Sequence, residues 1–218
     1  MKTTRMCAIL LTAAALGSAI DPCFAAKAER RVLFLTKSSG FQHSVIAREA
    51  DRLGHAEQIM VEIGALNGFR VVCTKDASMI NAKNLQNFDT VMMYTTGDLT
   101  KPGESDQGQP MTEQGKQDLL EWIKAGGGFL GSHTITDTFH GDKEFMAMMG
   151  GEFLTHGKQQ FTELQVVDPK FPAMVGLPIK FTMIDEWYVN KNVNLGKNMH
   201  VLLMLQTEGM EGDKYDIP

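Results

Sequence analysis

The chain has 218 residues, 43% of them hydrophobic and 22% charged, with a formal net charge of −5. That length predicts one domain, large enough to bury a core without disulfide staples. An excess of acid over base removes a whole-chain electrostatic case for nucleic acid, and the apolar fraction excludes general disorder.

The first segment reads as an address. Lys2 and Arg5 precede residues 6–20 (MCAILLTAAALGSAI), fifteen residues without a charge. A membrane span needs ~20 apolar residues, whereas a signal-peptide core needs fewer and is followed by a small-x-small cleavage site. Such sites stand at Cys23-Phe24-Ala25 and Ala26-Lys27-Ala28. Residues 1–25 are therefore expected to be a signal peptide, giving an exported protein, periplasmic or secreted, without stable membrane insertion after cleavage. Cleavage removes Cys7 and Cys23 and moves the net charge to −6. Cys73 is then the one thiol left and can form no internal disulfide. It sits in a β-rich run and reads as a buried strand residue rather than a nucleophile.

Residues 31–36 (RVLFLT) predict a first strand. From Ser44 the apolar positions Ile46, Ala50, Leu53, Ala56, Met60 and Ile63 recur at three and four, predicting a long helix that Asn67-Gly68 stops. Residues 69–74 (FRVVCT) and 89–96 (DTVMMYTT) predict two more strands. Residues 99–111 hold two prolines and two glycines and predict a surface loop. Thr112 then caps a helix with Glu113 in its first turn, Lys124 in its last, and Leu119, Trp122 and Ile123 on its apolar face. Gly126-Gly127-Gly128 ends it before a fourth strand at 129–132. A short helix is expected at 142–149, and strands at 161–167, 181–184 and 201–206. This alternation predicts one α/β domain built on an open parallel sheet with helices on both faces.

Ligands of such sheets bind outside the carboxyl ends of the strands. Those ends supply Ser38-Ser39-Gly40-Phe41-Gln42-His43, then Thr95-Thr96-Gly97-Asp98, then Ser132-His133-Thr134-Ile135-Thr136-Asp137-Thr138. Residues 126–138 (GGGFLGSHTITDT) are the sharpest local feature. A glycine-flanked strand, one polar residue and then helix-like sequence is the pattern of a nucleophile elbow, and the exposed side chain would be His133. A helix beginning there would favour neutral imidazole, which accepts a proton, binds a metal or bonds a sugar hydroxyl. The glycines also fit plain close packing of helix on strand, and the pattern leaves both readings open. His156 is expected in a loop. Asp185-Glu186-Trp187-Tyr188 sets a carboxylate beside two aromatics, which suits a sugar face and equally suits an aromatic pair closing the core edge. His140, His55 and His200 read as surface or structural. No GxGxxG, P-loop, HExxH or CxxC pattern occurs, so nucleotide and common zinc signatures lack support.

Taken in order, Gly40-Phe41-x-His43, Thr95-Thr96-Gly97-Asp98, Gly126-Gly127-Gly128-Phe129-x-Gly131-x-His133 with Thr136-Asp137-Thr138, Gly150-Gly151-x-Phe153-x-x-His156 and Asp185-Glu186-Trp187-Tyr188 resemble the ThuA-like (trehalose utilisation) domain family. The resemblance covers residues 31–218. It implies a flavodoxin-like sheet of the class I glutamine amidotransferase-like superfamily. It also implies no glutaminase, because His133 stands where the amidotransferases keep cysteine. Family members continue beyond the position of Pro218, so the resemblance further implies a C-terminally truncated member lacking its last strand.

The function it implies is processing of a small-molecule carbohydrate: a disaccharide, a glycoside or an oxidised sugar. His133, Asp137 and Glu186 are then expected as catalytic groups, with Asp137 orienting His133. His43, Thr96, Asp98, His156, Trp187 and Tyr188 are expected to bind substrate. A divalent metal is a third option, with His43, His133 and His156 as candidate ligands. A non-catalytic sugar- or partner-binding module on the same fold is the alternative.

Overall fold

A computed structural model describes residues 29–193 and 198–215; the expected signal peptide at 1–25 lies outside them. Strand β1 (Arg30–Leu35) has Leu33, Phe34 and Leu35 fully buried, the continuous apolar run of a strand covered on both faces. It pairs in parallel with β2 (Phe69–Thr74) on one side and β3 (Thr90–Met93) on the other, and β4 (Gly128–Gly131) pairs with β3. The order β2-β1-β3-β4, flanked by helices, is the flavodoxin-like arrangement expected. The direction in which strands are added to the sheet reverses at β1 and β3, the switch point where such sheets hold ligands.

Helix α1 (His55–Asn67) is shorter than its periodicity predicted. Residues 44–46 form only a 3-10 turn, and the chain then doubles back through a tight turn at Glu49–Arg52, with Ala50 at φ 51°, before reaching Gly54. The cause is Glu57, whose buried carboxylate collects both Arg48 bonds at 2.8 Å, the Gly54 N–H at 2.8 Å and the Thr36 hydroxyl at 2.6 Å. Burial disfavours its charge, but these donors outweigh it and hold the carboxyl below its usual range. Residues 47–54 must loop to bring Arg48 back, so helical spacing there is overridden. Ala50 and Ile63 accordingly end up exposed.

After α2 (Ala82–Leu85), helix α3 (Glu113–Lys124) begins where expected. Thr112 Oγ1 accepts the Gly115 N–H at 2.8 Å, and Leu119 and Leu120 are buried against the sheet. Each such leucine contributes roughly 1.5–3 kcal/mol by leaving water. Helix α4 (Lys143–Met149) is capped by Asp142. Beyond it lie two antiparallel units. Strand β5 (Glu152–His156) pairs with β8 (Tyr188–Lys191), and β6 (Gln160–Val166) lies between β7 (Lys180–Asp185) and β9 (Leu203–Leu205). His156 therefore ends a strand and not a loop, because its β8 partner is interrupted in sequence by the whole β6–β7 hairpin and shows no local pattern. No helix of the described residues is long and apolar enough to cross a membrane.

Candidate functional site

The exits of β1 and β3 are drawn together by backbone. Ser39 and Gly40 both donate to the Thr96 carbonyl, at 2.9 and 3.2 Å, and Thr96 Oγ1 donates to the Phe41 carbonyl at 2.7 Å. Gly97, at φ 73°, is packed so close that a Cβ there would lie 2.5 Å from the Gly40 nitrogen. This contact sets His43 beside Tyr94, with ring centroids 5.7 Å apart.

The exit of β4 is a turn with a strained start. His133 sits at φ 42°, a left-handed conformation that costs a residue with a Cβ ~1–2 kcal/mol. It is held there by the 3-10 turn His133–Asp137, stapled to β3 at four points. Thr134 and Thr138 hydroxyls donate to the Thr95 carbonyl at 2.7 and 2.8 Å, Gly97 N–H donates to the Asp137 carbonyl at 2.8 Å, and Phe139 N–H donates to the Gly97 carbonyl at 3.0 Å. The elbow geometry is thus present, but its continuation is five residues of 3-10 turn. The expected helix dipole on His133 is absent. Gly131 serves packing as well, since a Cβ would meet Ile135 at 2.5 Å.

Onto this edge the β7–β8 connection brings Glu186. Its Oε2 lies 3.7 Å from His43 Nε2 and 3.6 Å from His133 Nε2, and its Oε1 lies 3.5 Å from His156 Nδ1. Asp185 Oδ1 accepts the Glu186 N–H at 2.8 Å and steadies the turn. His43 and His133 meet edge to face at 4.9 Å, and Tyr188 lies 4.8 Å from His133 and stacks near His156 at 5.7 Å. The cluster opens into a cavity of about 320 Å³, lined also by Ser44, Val45, Gln159 and Asp185.

Burial pushes the His43 imidazolium pKa down, the neighbouring His133 adds to that, and Glu186 opposes both. Neutral imidazole is the outcome the fold favours there. Burial, with Asp185 and Glu186 nearby, raises the Tyr94 hydroxyl to about 12, and burial beside Glu186 raises Tyr188 as well. Both phenols keep their protons and remain donors. His156 donates its Nδ1–H to the Gly157 carbonyl at 2.7 Å; because a carbonyl only accepts, Nε2 is left as the acceptor.

Atoms of His43, His133 and Glu186 lie within 4.8 Å of one another, an arrangement able to hold a metal ion. Two imidazoles and a carboxylate suit a borderline divalent cation. Ligand bonds of ~2.0–2.1 Å at tetrahedral angles place donor atoms roughly 3.4 Å apart, close to the spacings from Glu186. His43 Nδ1 is buried with no hydrogen-bond partner among the described residues, so no protein acceptor fixes which nitrogen faces a ligand. The donor set fits, with Glu186 taking the place expected for His156.

Other expected site residues lie elsewhere. Asp137 accepts from His140 Nε2 at 2.5 Å and makes no hydrogen bond to His133, so it does not orient that ring by hydrogen bonding. Asp98 caps its own turn through Thr100 at 3.0 and 2.7 Å and is exposed. Thr96 and Trp187 support the site from behind, Trp187 by donating Nε1–H to the Gln160 carbonyl at 2.8 Å. Tyr94 was the omission. It occupies the end of β3, where the strand-end rule already pointed, but reads as one more apolar strand residue. Cys73 lies in β2 as expected but is only half buried; burial, then Glu57, raises its thiol to about 11.

The fold and the histidine elbow define a flavodoxin-like α/β protein with no cysteine at the turn. The family model described as "ThuA: Trehalose utilisation" matches residues 31–218, and the chain belongs to that family. Among solved structures it is similar to a ThuA-like protein of Bacteroides uniformis, with a TM-score of 0.63 and 20% identity over 86% of this chain and 72% of that one. It is also similar to a ThuA-like protein of Parabacteroides merdae, with a TM-score of 0.61 and 15% identity over 81% and 68%. No curated protein matches the chain.

Proposed function

We propose that the chain is a carbohydrate-processing enzyme, acting on a disaccharide, glycoside or oxidised sugar at the His43–His133–His156–Glu186 cluster. One observation carries this: three histidines from three separate elements converge on a single carboxylate, within 3.5–3.7 Å of it. Titratable groups clustered in a cleft are a common setting for proton transfer, and these separations leave room for a bridging water or substrate oxygen. The family's description as trehalose utilisation supports a sugar. So does Phe41, 72% exposed at the rim and edge-on to His43 at 4.9 Å, because an exposed ring offers a face for sugar C–H groups.

In this reading neutral His43, with His133 beside it, meets the reacting oxygen, and Glu186 holds or takes the proton that leaves it. His156 Nε2 is the second acceptor. Tyr94 and Tyr188, protonated at neutral pH, donate to substrate hydroxyls. A divalent cation held by His43, His133 and Glu186 would supply Lewis acidity towards a sugar oxygen.

The test is conversion of a panel of disaccharides, beginning with trehalose, and of their oxidised forms, followed by mass spectrometry. His133→Ala and Glu186→Gln should each lower turnover by at least ~10²-fold while unfolding stays cooperative. Wild-type turnover in both variants would overturn the assignment. Saturable binding without conversion by the parent chain would instead establish a binding module. We also propose that residues 1–25 direct export. N-terminal sequencing of protein recovered outside the cytoplasm should begin at Ala26, and a retained Met1 would sink that reading.

A further inference from the structure

Among buried polar groups that the mechanism above leaves unused, the Tyr215 hydroxyl has the most informative neighbours. Tyr215 is 4% exposed. Its oxygen accepts the Gly157 N–H at 2.8 Å and donates its own proton to the Trp187 carbonyl at 2.9 Å. Gly157 directly follows His156, and Trp187 directly follows Glu186. The β5–β8 ladder ends at the pair His156↔Tyr188, so Gly157 and Trp187 form the next rung outward. There the two backbones are joined through the tyrosine hydroxyl, which stands in for a direct ladder bond.

Around it the same turn is tied again. Lys214 Nζ donates to the His156 carbonyl at 3.0 Å, and His156 closes on the Gly157 carbonyl. An amide–hydroxyl–carbonyl chain polarises along its length, and leaving either end unpaired costs more than the bond itself contributes. We propose that Tyr215 is a positioning residue of the site: its hydroxyl fixes the turn carrying His156 against the turn carrying Glu186. The proposal rests on the His–carboxylate reading of that cluster and adds to it a residue 29 positions beyond Glu186.

The experiment compares wild type, Tyr215→Phe and His133→Ala for Zn²⁺ binding by calorimetry, and for the His156 ring resonances by NMR. Phenylalanine keeps the ring and removes only the hydroxyl. Glu186, a candidate ligand, directly precedes Trp187, and loss of support around a ligand typically weakens affinity at least ~10-fold, so Tyr215→Phe should bind Zn²⁺ about 10-fold more weakly and shift the His156 resonances. A tyrosine that only stabilised the fold would lower the melting temperature and leave both readouts unmoved, and that result overturns the proposal. If the phenylalanine variant does not fold, Gly157→Ala decides. Its Cβ would stand 2.9 Å from the hydroxyl, displacing the same link, and the same two readouts apply. Equal Zn²⁺ binding by wild type and His133→Ala would refute the metal reading alone, with the His156 resonances still deciding the role of Tyr215.

Discussion

At φ 42° the Cβ of His133 crowds its own carbonyl, and Thr134, Thr138 and Gly97 hold it there through β3. Strain of this kind persists where surrounding bonds over-determine it, and it gathers at working sites. It sets an order among substitutions at this position. Asparagine tolerates the left-handed region, whereas valine, branched at Cβ, does not. Urea unfolding should therefore find His133→Val less stable than His133→Asn by about 1–2 kcal/mol; equal stabilities would mean the turn relaxes freely. The elbow was visible in the sequence as glycines and a single polar residue after a strand, a pattern that fits close packing as well, and the structure shows both: His133 at φ 42° and Gly131 against Ile135. The partner of Asp137 was not legible. Which of two nearby histidines a carboxylate meets depends on how a turn closes, and His133 and His140 are equally plausible from spacing alone.

The four parallel strands could be placed from sequence to within a residue or two at most ends, because each is a short apolar run bounded by polar or glycine residues. Strand β3 stopped three residues earlier than its composition suggested, at Met93, because Thr95 and Thr96 give their carbonyls to the turns after β4 and β1 rather than to a regular ladder. Helix α3 was legible from its cap and its last-turn lysine. Helix α1 was legible at its end, where Asn67-Gly68 stops it, but not at its start, because the ion pair between Arg48 and Glu57 outweighed the local period over residues 47–54. Strands β5 and β8 were missed for a different reason. Their pairing spans more than thirty residues of chain, and neither alternates cleanly, with Phe153 and Tyr188 turned towards the site and only half buried. The elements hardest to read are thus those that carry His156 and introduce Glu186.

The parallel sheet and the β5–β8 pair are further joined by charge. His140 is bracketed by Asp137 at 2.5 Å on one nitrogen and Glu152 at 2.8 Å on the other, and Lys191 lies 3.2 Å from Glu152. Burial works against the imidazolium, but its hydrogen bonds to Asp137 and Glu152 outweigh it and raise its pKa. A group raised in the folded state stabilises fully below its unfolded pKa of ~6.5, and that contribution fades as pH rises through the folded value. His140→Gln should therefore cost about 1 kcal/mol at pH 6, the figure reduced for partial exposure, and clearly less at pH 9. A pH-independent loss in urea unfolding would show that the link is packing and not charge. The rung made by Tyr215 has a further consequence, one of timing. A chain emerging from the ribosome presents His43 and His133 long before Glu186, and the hydroxyl that sets Glu186 in place comes later still. The earlier half cannot assemble the pocket by itself. The complete cluster is thus open to a ligand only after Tyr215 has been made and packed.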